Sequence, residues 1–139
     1  PTKGNTAQAI VTFTQKDTGV HMQATVTGLT PGLHAMHIHE YGDCGCDDAA
    51  CAGDHFNPTG MPHAGPTDTK RHAGDLGNIT ADDNGNATYT ALDTHITLNG
   101  PHAIIGRTII IHANADDFTT QPNGNAGARI GCGVIGYAQ

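Results

Sequence analysis

His37-Ile38-His39 closes an alternating run that begins at His34. Residues two apart on a strand emerge on the same face, so both imidazoles point one way while Met36 and Ile38 point the other, into a core. His55, His63, His72 and Asp75 follow in a Gly/Pro-rich stretch, and His112 comes after a second apolar run, Thr108-Ile109-Ile110-Ile111. These seven residues sit at spacings that suit two metal ions sharing a ligand. A set made wholly of imidazoles suits copper, and three imidazoles with a carboxylate make an ordinary tetrahedral zinc site. A histidine-rich surface tract would instead cluster in low-complexity sequence, whereas these residues flank apolar strands or share one loop.

Such a set needs strands to aim it and loops to close over it. Ala7 to Gln15 and Gly19 to Gly28 read as two strands, with Val20, Met22, Ala24 and Val26 alternating against His21, Gln23, Thr25 and Thr27. Lys16-Asp17-Thr18-Gly19 joins them as a hairpin turn, and Leu29-Thr30-Pro31-Gly32 turns the chain into the His-x-His strand. From Tyr41 to about Leu76 no periodicity is sustained. A loop of that length in a small protein is usually functional, and this one carries four of the proposed ligands. Strands are expected again at Asn78 to Thr80, Asn86 to Leu92 and His95 to Leu98, with Asp82-Asp83-Asn84-Gly85 as a hairpin turn between the first two. Arg107 to Ala113 and Ala128 to Gly136 complete the set, on either side of a second loop over about 114–128. No helical stretch exceeds a turn. An all-β Greek-key antiparallel barrel or sandwich of immunoglobulin-like architecture is expected, with seven to eight strands and two long functional loops.

The 139 residues are expected to form one domain, 1–139. Trp is absent, so the core must be built from Val, Ile, Leu, Ala and Met, and 19 Gly with 7 Pro favour many turns. No segment approaches the apolar length of a membrane span, and no signal peptide is visible. A net charge of −7 argues against nucleic acid or an anionic membrane as partner. Cys44, Cys46 and Cys51 crowd together and Cys132 stands apart, which favours an extracytoplasmic, periplasmic or secreted location over a cytoplasmic one. A zinc knuckle is the competing reading of that cluster. Asp43, Asp47 and Asp48 around the thiols, and the lack of a second Cys-x-x-Cys pair, weigh against it.

The stretches Gly32-Leu33-His34-Ala35-Met36-His37-Ile38-His39-Glu40, Asp54-His55-Phe56-Asn57-Pro58, Arg71-His72-Ala73-Gly74-Asp75-Leu76-Gly77-Asn78, Gly124-Asn125-Ala126-Gly127-Ala128-Arg129 and Cys132-Gly133-Val134-Ile135-Gly136 closely resemble copper–zinc superoxide dismutases. The resemblance runs from about Thr6 to Gln139. It implies that His37, His39, His55 and His112 bind one copper ion. It assigns His55, His63, His72 and Asp75 to one zinc ion, with His55 bridging the two. Asp116 matches an aspartate that links a copper histidine to a zinc histidine, here His37 and His63, and fixes their tautomers. Arg129 matches the arginine that attracts and orients superoxide. The implied reaction turns superoxide into oxygen and hydrogen peroxide, with Arg129 and His55 as the catalytic residues and copper cycling between its two oxidation states. Superoxide, a second copy in a homodimer and a copper chaperone are the implied partners. A copper storage or delivery domain of this fold would be expected to lack a copper ligand or the arginine, and here all are present.

Only the segment between His39 and His55 departs from the eukaryotic length, by one residue. It agrees with bacterial members that place a cysteine directly after Gly-Asp, here Gly42-Asp43-Cys44. That alignment pairs Cys44 with Cys132 and leaves Cys46–Cys51 as a small extra ring, with Cys51–Cys132 as the alternative. His34 is read as a structural histidine bonded to backbone, and His21, His95 and His102 as structural or surface residues. Asp117 is expected to be solvated or to cap its loop. Asn78-Ile79-Thr80 and Asn86-Ala87-Thr88 match the glycosylation pattern, a short and often unused signal. Family members begin with an apolar strand ending in a turn like Pro1-Thr2-Lys3-Gly4-Asn5, where this chain starts. Unpaired strand edges are therefore expected, to be covered by further N-terminal residues or by a partner. In eukaryotic relatives that strand joins the segments matching Ile104 to Gly106 and Val134 to Ala138 in the dimer interface.

Relatives often carry lysine in the loop before the arginine, yet Asn114 to Ala128 contains no Lys or Arg. Long-range attraction for an anion should therefore rest mainly on Arg129 and the metal. Raising ionic strength from about 0.01 to about 0.15 M shortens the screening length severalfold and is expected to slow the reaction only slightly. A steep fall in rate across that range would contradict this.

Overall fold

Strict alternation makes a half-buried strand of Gly19–Thr27, where Val20, Met22, Ala24 and Val26 are buried and Gln23, Thr25 and Thr27 are exposed. The computed structural model describes residues 1–139. It contains β1 (Gln8–Lys16), β2 (Gly19–Thr27), β3 (Gly32–His39), β4 (Asp75–Ala81), β5 (Ala87–Asp93), β6 (Thr108–His112) and β7 (Arg129–Val134), with one 3-10 turn at Ala50–Ala52. The strands form two antiparallel sheets, ordered β1-β2-β5 and β4-β3-β6-β7. Lys16 pairs with Gly19, so Asp17 and Thr18 make the tight turn expected of them.

Two local expectations fail. Asp82-Asp83-Asn84-Gly85 closes as a turn, with Gly85 N–H donating to the Asp82 carbonyl and Asp82 N–H to that of Asn86. The strands it joins do not pair with each other: β4 adds to β3 and β5 adds to β2. The turn carries the chain between sheets and packs against the other such crossing, Leu29 N–H donating to the Gly85 carbonyl at 3.2 Å. A Cβ on Gly85, whose φ is +78°, would run into the Leu29 backbone. The second failure is His95 to Leu98, which forms no strand beyond an isolated Thr97–Ala103 bridge. Asp93 Oδ1 accepts the backbone N–H groups of His95 (2.7 Å) and Ile96 (3.1 Å), bending the chain where a strand would have to extend.

Met36 and Ile38 join Val20, Met22, Ala24, Val26, Ile79 and Ile111 in the core between the sheets. His37 and His39 consequently emerge on the outer face of the β4-β3-β6-β7 sheet, where a smaller cluster of Ala49, Ala52 and Ile110 backs them. His34 shares strand parity with Met36 and Ile38 and so lies in the interior, bonded to the carbonyls of His112 and Thr30 at 2.8 Å each. His34 is thus structural, as its sequence context implies. β1 and β7 each keep one unpaired edge, and an apolar groove lined by Ile10, Phe13, Ile109 and Val134 runs between them.

The long loop before β4 is stitched to the sheet by backbone. Ile38 N–H donates to the Gly74 carbonyl, Gly74 N–H to that of Phe56, and Phe56 N–H to that of Ile38, all within 2.8–3.0 Å. A side chain at Gly74 would collide with the Ile38 carbonyl. Arg71 is buried and reaches across the molecule, donating to the backbone carbonyl of Asp75 (2.6 Å) and to the Asp93 carboxylate at the end of β5. One guanidinium therefore ties the ligand loop to the opposite sheet. Removing one member of a buried ion pair strands the other, so Asp93→Ala should cost about 3–5 kcal/mol in denaturant unfolding of the metal-free protein. A loss below about 1 kcal/mol, the scale of an exposed pair, would refute this role.

Candidate metal centre

Strand register gathers the first candidate ligands. β3 and β6 pair His37 with Ile110 and His39 with Thr108, and a shift after Ile111 sets His112 opposite Arg129 of β7. His55 arrives from the loop through an isolated bridge to His39. One potential ligand atom from each of His37, His39, His55 and His112 lies within 4.8 Å of the others, and the same holds for His55, His63, His72 and Asp75. All seven side chains are buried. His55 belongs to both groups.

The remaining nitrogens show how each imidazole is held. His39 Nδ1 lies 2.9 Å from the Gly53 carbonyl and His112 Nδ1 lies 3.2 Å from that of Gly127. Each ring then donates from Nδ1 and keeps a lone pair on Nε2. His37 is reversed, with Nε2 on Asp116 Oδ2 at 2.7 Å and Nδ1 facing His112 Nε2 at 3.1 Å. His55 Nε2 and His39 Nε2 are buried with no hydrogen-bond partner. Orphaned nitrogens of this kind are costly in a dry interior, and lone pairs converging from four imidazoles fit a copper ion. On the other side, Asp75 Oδ1 is 2.9 Å from His55 Nδ1 and His63 Nδ1 and 3.3 Å from His72 Nδ1. Three imidazoles and one carboxylate oxygen at these distances fit tetrahedral zinc.

Asp116 spans the two groups. Its oxygens meet His37 Nε2 at 2.7 Å and His63 Nε2 at 2.8 Å. Its backbone is held by Asn78, whose side chain accepts from Asp116 N–H at 2.7 Å and donates to its carbonyl at 3.0 Å. Gln121 clamps the backbone of His63 likewise, at 2.8 and 2.7 Å. Gly124 has φ +70°, and any Cβ there would strike Asp116 Oδ1 and His63 Nε2. Asp117 is exposed and caps its own loop through Thr119 and Thr120. His21 is half-buried, and His95 and His102 lie on the surface away from both groups.

Electrostatics follow from burial and these contacts. Burial lowers His39 to about 2, His112 to about 3 and His55 to about 4 from an ordinary 6.5. Burial also opposes charge on His63, but its bonds to Asp116 and Asp75 win and raise it to about 9. Burial disfavours the charged forms of Asp75 and Asp116, yet the histidines around them hold both well below the usual carboxylate range. Arg129 sits half-buried beside this pocket, donating from Nη1 to the Ala49 carbonyl at 2.9 Å and from Nη2 to that of Gly53 at 2.7 Å. Burial depresses its guanidinium, against the pull of Asp54 and Asp48. The recess beside it is rimmed by Lys3, Asp47 and Asp48, with Lys3 Nζ 2.7 Å from Asp47 in an exposed pair. That cation is largely offset where it stands.

Disulfides join Cys44 to Cys132 and Cys46 to Cys51, with Cα atoms 5.8 and 5.5 Å apart, and no cysteine is free. The first pins the loop to β7, three residues beyond Arg129. Arg71, Asn78 and Gln121 had no sequence signal of their own. Asn78 carries a glycosylation pattern and ends a family-like stretch, neither of which marks its role: its amide is committed to Asp116.

A family model for copper/zinc superoxide dismutase (SODC) matches residues 7–135. Superoxide dismutase [Cu-Zn] 2 of Mesembryanthemum crystallinum is 46% identical over 141 residues, covering 95% of this chain and 88% of that protein. A crystal structure of the clock protein EA4 superposes with a TM-score of 0.90 at 42% identity, over 95% of this chain and 88% of that one. No helix here is long and apolar enough to cross a membrane.

Without metal, the three depressed histidines make the fold acid-sensitive. Their folded values lie below the unfolded 6.5, so below about pH 6.5 the unfolded chain binds more protons and stability falls. Each such proton is worth up to about 1.4 kcal/mol per pH unit down to the folded value. His63 has the opposite sign: its stabilisation is complete below 6.5 and fades as pH rises through about 9. Denaturant midpoints of the metal-free protein should therefore drop between pH 7 and pH 5, and a flat profile there would refute the assignment.

Proposed function

The chain belongs to the copper/zinc superoxide dismutase family, and we propose how its own side chains divide the work of that reaction. The protein is an enzyme that converts superoxide to oxygen and hydrogen peroxide with copper and zinc. When bound, copper supplies the redox couple that takes an electron from one superoxide and returns it to a second, while zinc supplies a redox-inert positive charge. His37, His39, His55 and His112 hold copper, and His55, His63, His72 and Asp75 hold zinc. The observation that carries this reading is His55, whose Nδ1 faces Asp75 and whose Nε2 is buried without a partner on the side of His37 and His39.

Arg129 captures the substrate. Its guanidinium is fixed by two carbonyls and keeps its charge next to the buried histidines, where a small anion can be drawn in and oriented. Two superoxide anions and two protons give one oxygen and one hydrogen peroxide. His55 Nε2 is the atom that holds one of those protons and releases it to the peroxide, with the other coming from water. Asp116 keeps His37 and His63 in fixed tautomers, so the proton is not lost to a neighbouring ring.

Residues 1–139 act as a single domain, an assignment supported by one shared core contributed by both sheets. A homodimer is supported by exposed apolar side chains at Val134 and Tyr137, in a segment that matches a dimer contact of eukaryotic relatives. Loading by a copper chaperone suits a site whose ligands all lie buried under loops. Two disulfides with no free thiol support a periplasmic or secreted location.

His55→Ala tests the shared ligand. Activity should be lost and zinc retained poorly, because His63, His72 and Asp75 alone leave the fourth position open. Metal analysis beside a dismutation assay reads both; normal activity with stoichiometric zinc would sink the assignment.

A further inference from the structure

Ala49 is fully buried and held at φ 59°, ψ 18°, a left-handed conformation that side chains with a Cβ rarely adopt. Such a residue persists only where its surroundings over-determine it, and strain of this kind gathers at functional sites. Here the surroundings are a ring of six residues closed by the Cys46–Cys51 disulfide, with Ala49 inside it. Ala49 N–H donates to the Cys46 carbonyl at 2.9 Å, and Asp48 Oδ1 accepts from Ala50 N–H at 3.0 Å. The Ala49 carbonyl is thereby turned toward β7, where it accepts from Arg129 Nη1 at 2.9 Å.

Besides the ring, the Ala49 carbonyl is held only by Ala52 N–H, at 3.1 Å, whereas the other acceptor of Arg129 is fixed by a longer seam. Gly53 lies at the seam where Tyr41 and Glu40 pair with Ala52 and Asp54, and its carbonyl also receives His39 Nδ1. The Cys44–Cys132 disulfide anchors the loop as a whole to β7 but sets no torsion at Ala49, five residues further along. Ala49 lies inside both disulfide rings, and the six-residue Cys46–Cys51 ring is the tight one.

We propose that the Cys46–Cys51 disulfide is a positioning device for anion capture: it locks Ala49 left-handed so that its carbonyl fixes one arm of the Arg129 guanidinium. With the ring open, Ala49 relaxes toward an ordinary conformation and its carbonyl turns away. Arg129 then hangs from Gly53 alone and samples orientations that do not face the incoming anion. The proposal rests on Arg129 as the anion-binding residue. It adds Cys46, Cys51 and Ala49 as groups that act through it without touching substrate.

The test uses the copper- and zinc-loaded protein with Cys46→Ser and Cys51→Ser together. Expected are an unchanged metal content, a fall in kcat/KM of about three- to tenfold, and a matching rise in the dissociation constant of azide as a probe anion. Glycine adopts the left-handed conformation without a Cβ penalty, so adding Ala49→Gly to the ring-open variant should restore much of both. Unchanged kcat/KM and azide binding in the ring-open protein would overturn the proposal. So would loss of copper, or failure to fold, that Ala49→Gly does not repair, because the ring would then be serving the fold or the metal. Arg129→Ala separates the two readings: no change in rate or azide affinity there removes anion capture itself, whereas a loss there with a silent ring removes only the clamp.

Discussion

Six polar side chains are buried around a single imidazole, that of His55, which must face two ways, and most of the architecture answers to that. Burial forces neutrality on His39, His55 and His112 and takes away the water their free nitrogens would otherwise use. A bare cluster of this kind is an unfavourable arrangement held by the rest of the fold: an apolar core behind β3 and β6, a buried Arg71–Asp93 pair, and a backbone seam between Ile38, Phe56 and Gly74. Metal ions turn the same cost into affinity, since what is missing is a partner for lone pairs.

Carboxylates divide the labour around that cluster. Asp75 collects three imidazoles and two backbone N–H groups. Asp116 collects one imidazole from each group and is itself locked by Asn78. The first makes a site and the second makes two sites into one unit. Neither could do so exposed, because in water each histidine would exchange partners freely.

The parts of the fold that were legible in the sequence were those where a side chain's environment is decided by its immediate neighbours. Alternation along β2 and β3 identified the buried faces, and the same parity placed His37 and His39 together on the outside. The Asp82 to Gly85 turn was legible as a turn but not as a crossing. Turn residues report local backbone geometry, whereas the sheet a strand joins depends on which face finds a distant partner. His95 to Leu98 was misread because a single Asp93 oxygen competes for the backbone donors a strand would spend on its ladder. In the site, the ligands and Arg129 stood in motifs that resemble a known family, and the cysteine pairing followed from the same alignment. Asn78 and Gln121 act on backbone atoms of residues far along the chain, and Arg71 reaches the side chain of Asp93 in the opposite sheet. No spacing rule marks such a role.

One carbonyl, that of Gly53, accepts from both His39 and Arg129. A single peptide group thus sets the tautomer of a proposed copper ligand and the aim of the guanidinium proposed to capture the anion. For anyone redesigning this scaffold toward another substrate, selectivity and redox tuning are not independent dials. A larger or differently charged side chain at position 129 would pull on the oxygen that orients His39, and a change at His39 would release an arm of the guanidinium. Useful variants would have to be sought as pairs, with the Gly53 peptide as the hinge between them.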